Sequence, residues 1–269
     1  MKAPAIGVLA MIAIASLAAP WIAPFDPNAL DIANRLAEFG PTHPLGTDHL
    51  GRDELSRLLH GGRSTILLAV IATAATLGVG IVLGAVSGYF GGKLDHAIQS
   101  LVLLFQGLPR ISFMLAIAGV MGPGPLTLFM AVVVTSWADF ARIVRAETLK
   151  IREEQYIEAV RALGAGPVYI MTFYVVPNLI GPMVVLFTVE IGRMILAIAA
   201  LSFLGLGLQP PTADWGIMIS DSLPYFRSAP LLMIAPGLCI AITTFAINLL
   251  GDSLRDRLDT RMDGHPVVL

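Results

Sequence analysis

The stretch "STILLAVIATAATLGVGIVLGAVSGYF", residues 64–90, contains no charged side chain. A helix needs only about 20 apolar residues to cross a bilayer core, so this run is long enough to span. Comparable runs lie at about 4–24, 98–121, 126–141, 178–207 and 230–250. Composition decides between a large soluble core and a membrane. The chain is 56% hydrophobic and 13% charged, against roughly 25% charged residues in a soluble domain. The expected fold class is therefore an all-α polytopic membrane protein with six transmembrane helices embedded in a lipid bilayer. A net charge of −2 argues neither for nor against nucleic acid, and no nucleic-acid partner is expected. The one cysteine, Cys239, lies in an apolar run and allows neither an internal disulfide nor a cysteine-based metal cluster.

Four segments follow from the hydropathy pattern. Residues 1–24 read as a first transmembrane helix, although Lys2, the apolar run and "SLAAP" also resemble a signal peptide. Residues 25–63 form an extracytoplasmic segment, in which Leu55, Leu58 and Leu59 on one face predict a short amphipathic helix at the membrane surface. Residues 64–252 hold five further spans, and 253–269 form a polar tail. Pro109 is expected to kink span three, and Trp215 to anchor a loop at the interface. With the N-terminus inside, ten Lys and Arg fall on the inner side and five on the outer side. That bias predicts cytoplasmic termini and a cytoplasmic segment at 142–177.

The segment 142–177 breaks the apolar pattern with "EEQYIEAVRALGAGPVYIMTFYVVPNL". Glu153 to Leu163 have helix-forming content, and the small Ala159 and Ala162 let a partner surface approach. Gly164 and Gly166 permit a bend. Pro167 suits the first turn of a new helix, and Pro177 is expected to precede span five. Two short helices at an angle, exposed to the cytoplasm, are well shaped to be gripped by another protein.

These residues resemble the EAA loop of ABC-transporter permeases: Glu158, Ala159, Gly164 and Pro177 fall on that pattern, while Val160, Tyr174 and Val176 depart from it. "HPLGTDHLGRDELSRLLHGGRSTI" (43–66), "GYFGG" (88–92), "ALSFLGLGLQPPTADWG" (200–216) and "NLLGDSLRDRLDTR" (248–261) are similar to the C-type permease of dipeptide, oligopeptide and nickel importers. The resemblance covers about residues 43–261. It implies a type I ABC importer permease in a bacterial inner membrane. The implied partners are a homologous B-type permease, two ATP-binding subunits or one fused ATPase chain, and an extracytoplasmic solute-binding protein. ATP and magnesium would sit on the partners, and no cofactor is expected in this chain. Where the family often has acidic residues, this chain has Gln99 to Leu103 and Ile198, and Glu190 and Arg193 stand where apolar or glycine residues are usual.

The sequence has no G-x-x-x-x-G-K-[ST] phosphate cradle. The chain is therefore expected not to be an enzyme, and the resemblance assigns ATPase coupling to Glu158, Ala159, Gly164 and Pro177. Charges inside a span cost about 2.5–3.5 kcal/mol each at a helix centre on insertion scales, so Arg110, Glu190 and Arg193 need partners or water. Glu190 and Arg193 are three residues apart and share a helix face. They read either as a local ion pair or, with Arg110, as the lining of a substrate pathway. A dipeptide, carrying both a carboxylate and an ammonium, suits both signs. His43, His49 and His60 lie near Asp48 and Asp53 at irregular spacing, so fold-supporting roles are expected and no metal site. His96 and His265 read as solvated residues. An intramembrane protease, a secondary transporter and a channel subunit are the competing classes. Every His lies outside the predicted spans, and no internal repeat is visible.

Overall fold

The computed structural model describes residues 2–262; among them the regular structure is helical, and residues 23–53 form a mostly irregular segment with one isolated β-bridge between Thr47 and Asp53. In chain order the α-helices are α1 (Lys2–Leu17), α2 (Ala19–Ile22), α3 (Glu54–Phe90), α4 (Gly92–Gly107), α5 (Arg110–Met121), α6 (Pro125–Arg152), α7 (Gln155–Ala162), α8 (Pro167–Ile170), α9 (Val176–Phe203), α10 (Trp215–Ser222) and α11 (Leu231–Met262). Among the described residues four helices are long and apolar enough to cross a membrane: α3, α6, α8–α9 taken together, and α11. The pair α4 and α5, bent by 90°, makes a fifth if counted as one span. At 16 residues α1 is shorter than these, and the predicted first span is interrupted at Ala18, where α2 begins with Pro20 in its first turn.

The bundle is organised by α3 and α6. Gly80, Gly84 and Gly88 repeat every four residues and so line one face of α3. A β-carbon on Gly84 would stand 2.5 Å from the carbonyl oxygen of Ala141 and 2.7 Å from Cβ of Val144. One on Gly88 would stand 2.8 Å from Cβ of Thr148, and one on Gly80 would collide with Phe140. The partner residue rises in step with the glycine, so α3 and α6 run parallel. The chain between them must therefore return across the bundle, which makes the bent α4–α5 pair a single crossing. In the same way Gly192 of α9 abuts Thr244 and Asn248, and Gly251 of α11 abuts Val189, so α9 and α11 are antiparallel. The main core lies between these helices around Met114, Leu128, Phe140, Met194, Ile198 and Trp215.

One end of the bundle is closed by residues 25–60, here called the lid. The sequence predicts a surface amphipathic helix in the last part of 25–63, but from Glu54 onward these residues are the first turns of α3. The side chains of Asp53, Glu54 and Arg57 are buried, and Leu55, Leu58 and Leu59 are half-buried. The lid folds over the polar face and supplies its partners. Arg52 Nε is 2.6 Å from Asp48 Oδ2, and Arg57 Nη1 donates to the carbonyl of Pro27 at 3.2 Å. Asp53 caps α3 by accepting from the Ser56 N–H at 2.8 Å and the Ser56 hydroxyl at 2.7 Å. Trp215 is not the interface anchor expected from sequence. It is buried at the start of α10, its indole donating to the Leu58 carbonyl at 3.0 Å. The space for its ring exists because Gly62 lacks a side chain; a β-carbon there would be 2.7 Å from the indole.

Other boundaries also differ from the hydropathy reading. Span four does not stop at 141: α6 continues to Arg152, because nothing between Pro125 and Arg152 breaks a helix. Pro177 does not precede span five but sits inside a helical run from Pro167 to Phe203. Met171–Val175 form a π-turn there, in which the Val176 N–H reaches the Met171 carbonyl. Proline lacks an N–H and clashes with the carbonyl four residues back, and a π-turn is a known way to absorb this. Likewise α11 continues through Met262, so part of the predicted tail is helical. His265 lies outside the described residues.

Replacing Gly84 by leucine is expected to destabilise the protein by about 1–3 kcal/mol or more, because the obstructing atom is backbone. Gly78, with nothing within 4 Å of a β-carbon, should accept leucine with little change. Thermal unfolding in detergent compares the two. A second expectation concerns Asp214, which caps α10 by accepting from the N–H groups of Gly216 at 2.7 Å and Ile217 at 3.0 Å. Burial pushes its carboxyl above the ordinary range, against the lowering effect of those N–H groups. The folded protein thus holds this proton more tightly than the unfolded chain. The resulting stabilisation is full below the ordinary carboxyl range and is lost as pH rises through the raised value. Asp214→Asn keeps an oxygen cap without the titration, so its unfolding temperature should fall less than the parent's between roughly pH 4 and pH 8.

Candidate functional site

Two groups of residues stand out from the packing. The first is the turn after α6. Glu154 starts α7, an eight-residue helix that buries Ile157 and leaves Glu158, Ala159, Arg161 and Ala162 exposed. Its end is fixed by a Schellman turn. The Ala165 N–H donates to the Val160 carbonyl at 3.3 Å, and the Gly164 N–H to the Arg161 carbonyl at 3.0 Å. Gly164 takes φ +87°, a left-handed conformation that glycine adopts without penalty. Val160 and Ala165, the flanking pair of this motif, both pack on the cluster around Ile157 and Ile170. Pro167 then opens α8 at its first turn. The bend expected at Gly164 and the helix start expected at Pro167 are both present.

This turn overhangs a cleft of about 680 Å³ lined by Tyr89, Phe90, Arg152, Glu158, Arg161 and Pro167, among others. Arg152 braces its wall, donating to the carbonyls of Gly88 at 3.2 Å and Tyr89 at 3.3 Å at the end of α3. Leu163 is 87% exposed, and Tyr156, Val168, Tyr169 and Phe173 are exposed beside it. An apolar patch mixed with a Glu and an Arg marks a surface suited to another protein. Of the four sequence-predicted coupling residues, Glu158, Ala159 and Gly164 share this surface. Pro177 stands apart on α9, beyond the π-turn.

The second group is a set of charges within the spans. Gly107 ends α4, and Leu108 is extended, as the residue before a proline prefers. Arg110 begins α5 after the bend. Its guanidinium pairs with Asp139 of α6, and its Nη1 is 3.8 Å from Glu190 Oε1 on α9. Arg193 Nη1 is 3.3 Å from Glu190 Oε2. Gln106 Nε2 donates to Asp139 Oδ1 at 2.8 Å, and Arg142 Nη1 donates to Gln106 Oε1 at 3.2 Å. The three predicted residues Arg110, Glu190 and Arg193 are thus brought together. The ion pair expected from their three-residue spacing is present and belongs to a larger network. Gln106, Asp139 and Arg142 are additions. Their signal was faint: Gln106 precedes Arg110 by one turn, and Asp139 precedes Arg142 by three residues.

A third ionic contact braces α4. Arg145 of α6 grips Asp95 with Nε at 2.6 Å and Nη2 at 2.7 Å, a bidentate pair joined by the Ser87 hydroxyl. Three histidines lie at the lid end. His43 Nδ1 is 2.9 Å from Asp53 Oδ1, His60 Nδ1 is 3.0 Å from the Ser56 carbonyl, and His49 stacks on Tyr225. Among the described residues no group of three or more His, Cys, Asp or Glu is arranged to hold a metal ion.

With this geometry in hand, comparison with known proteins is informative. Residues 80–264 match the family described as "Binding-protein-dependent transport system inner membrane component". The nickel transport system permease protein of Escherichia coli strain K12 is 37% identical over 95% of this chain and 92% of its own length. The di/tripeptide transport system permease protein of Pseudomonas aeruginosa strain UCBPP-PA14 is 36% identical over 94% of this chain and 85% of its own length. A solved structure of the inward-facing MetNI methionine ABC transporter shares the fold. It has a TM-score of 0.63 at 19% identity and covers 75% of this chain and 95% of that one. The chain belongs to the binding-protein-dependent transport system inner membrane components and is a multi-pass permease subunit of the peptide and nickel branch of ABC importers.

Proposed function

We propose that the chain is the C-type permease subunit of an importer for dipeptides and oligopeptides. It forms half of the translocation pathway and is driven by separate ATPase subunits that bind ATP and magnesium. Its companions in this reading are a B-type permease, two ATP-binding subunits or one fused ATPase chain, and a solute-binding protein on the lid side. Six spans are counted in a bacterial inner membrane: α1 with α2, α3, α4 with α5, α6, α8 with α9, and α11. Ser16 of α1 lies against Gly62 at the lid end, and α11 runs antiparallel to α9 away from that end. Both observations favour termini on the side of α7, which the Lys and Arg bias makes cytoplasmic.

The observation that carries the reading is the exposed α7 with its locked turn. Glu158, Ala159 and the apolar Leu163 form a face that an ATPase subunit can grasp, and Pro177, in the first turn of α9, passes movement into that helix. Arg110, Glu190 and Arg193 line the path of the cargo. The nickel relative supports a second cargo. Against a bare divalent cation stands the charge of the embedded network, in which three guanidinium groups face two carboxylates. A haem-like cargo is a further member of the same range.

Gly164→Val introduces left-handed strain of about 1–2 kcal/mol into a position with open space around it. The expected result in reconstituted complex is a several-fold loss of cargo-stimulated ATPase activity and uptake with assembly retained; unchanged coupling would remove α7 from this role. The cargo itself is settled by ATP-dependent uptake in proteoliposomes of the whole complex, presented with a dipeptide, an oligopeptide, haem and Ni²⁺. Peptide uptake is the expected outcome, and uptake of Ni²⁺ alone would refute it.

A further inference from the structure

The embedded network is unevenly satisfied. All four carboxylate oxygens face a donor: Asp139 Oδ1 faces Gln106, Asp139 Oδ2 faces Arg110, Glu190 Oε1 faces Arg110, and Glu190 Oε2 faces Arg193. Glu190 is correspondingly hidden, its side chain 6% exposed. The guanidinium groups are not matched in this way. Arg142 spends its bond on the neutral amide oxygen of Gln106. Among the described residues the polar contact of Arg193 is with Glu190, through one nitrogen, and its side chain is 65% exposed. Three positive groups against two negative ones leave one positive charge in excess. Lipid cannot solvate an exposed guanidinium, so the open side of Arg193 must meet water or an anion.

We infer that Arg193, tethered through one guanidinium nitrogen to Glu190, selects cargo bearing a free carboxylate. The remaining guanidinium nitrogens form the two-pronged donor that matches a carboxylate. This assignment rests on the pathway reading and adds the chemical group that is recognised. Glu190 holds the guanidinium in place. Arg110 neutralises the other oxygen of Glu190, so that Arg193 is not held wholly as a counter-ion. For a peptide the recognised group is its C-terminal carboxylate. The N-terminal ammonium needs no partner in this cluster, since both embedded carboxylates are already occupied.

The test is uptake by the full complex with its solute-binding protein in proteoliposomes. A dipeptide and its C-terminal amide are each supplied at a concentration that saturates the binding protein. Variants are Arg193→Gln, Arg193→Lys and the double replacement Glu190→Gln with Arg193→Gln. Expected are a preference of the parent for the free carboxylate by about ten-fold or more, collapse of that preference in Arg193→Gln, and partial return in Arg193→Lys. The double variant separates the two roles of Arg193. If the guanidinium only neutralises Glu190, removing both charges restores dipeptide uptake, and the proposal is wrong. If it binds cargo, the double variant stays defective. Equal uptake of the two peptides by the parent would overturn carboxylate selection while leaving peptide import intact. Failure of the parent to import either peptide would overturn both.

Discussion

The close passage of α3 against α6 sets the arrangement of everything else. Three glycines bring the two backbones to a distance that no larger residue allows. In a bilayer there is little hydrophobic force between helices, because lipid is as apolar as leucine, so close packing of small residues must supply the attraction. That parallel contact fixes the direction of α6. It thereby forces α4 and α5 to carry the chain back in one crossing. The bend within that crossing places Arg110 where it can reach two other helices. The polar network is in this sense a product of glycine spacing.

Buried charge is handled differently at the lid and within the spans. At the lid, Asp48, Arg52, Asp53 and Arg57 are hidden and bound to one another or to backbone. Their desolvation is offset by short, well-directed contacts, and the result fixes the loop over the helix ends. Within the spans the network is looser and half open, with Arg110 and Asp139 each about one-third exposed. The half-open network leaves guanidinium donors of Arg193 facing outward, whereas the lid network is shut.

Much of this was readable in the amino-acid order. The apolar runs locate the four long helices and the bent α4–α5 pair, and the Gly164–Pro167 pattern locates the turn at its true residues, because both rest on local chemistry. Several of the misreadings share one cause. Leu55, Leu58 and Leu59 suggested a surface helix because the segment that covers Asp53 and Arg57 comes from residues 25–52, which one-dimensional periodicity cannot place. Trp215 suggested an interface anchor because the vacancy for its ring is made by Gly62, more than 150 positions away in the chain. The joining of Asp139 and Arg142 to the network is not legible in the sequence because their partners lie on other helices. The family likeness to peptide and nickel permeases was carried by motifs spread along the chain, and the comparisons agree with it.

The π-turn at Met171–Val175 keeps α8 and α9 as one uninterrupted helical run of 37 residues. At 1.5 Å per residue that is a rod of about 55 Å. A pivot of about 5° at the Pro167 end sweeps the Phe203 tip through an arc of about 5 Å, comparable to one full helical turn. Glu190 and Arg193 ride partway along this rod, and Ser202 touches the lid region through Gly216. A small rotation of this rod would therefore carry the charged side chains and the contact at the lid end together, because α9 is continuous from Glu190 to Ser202.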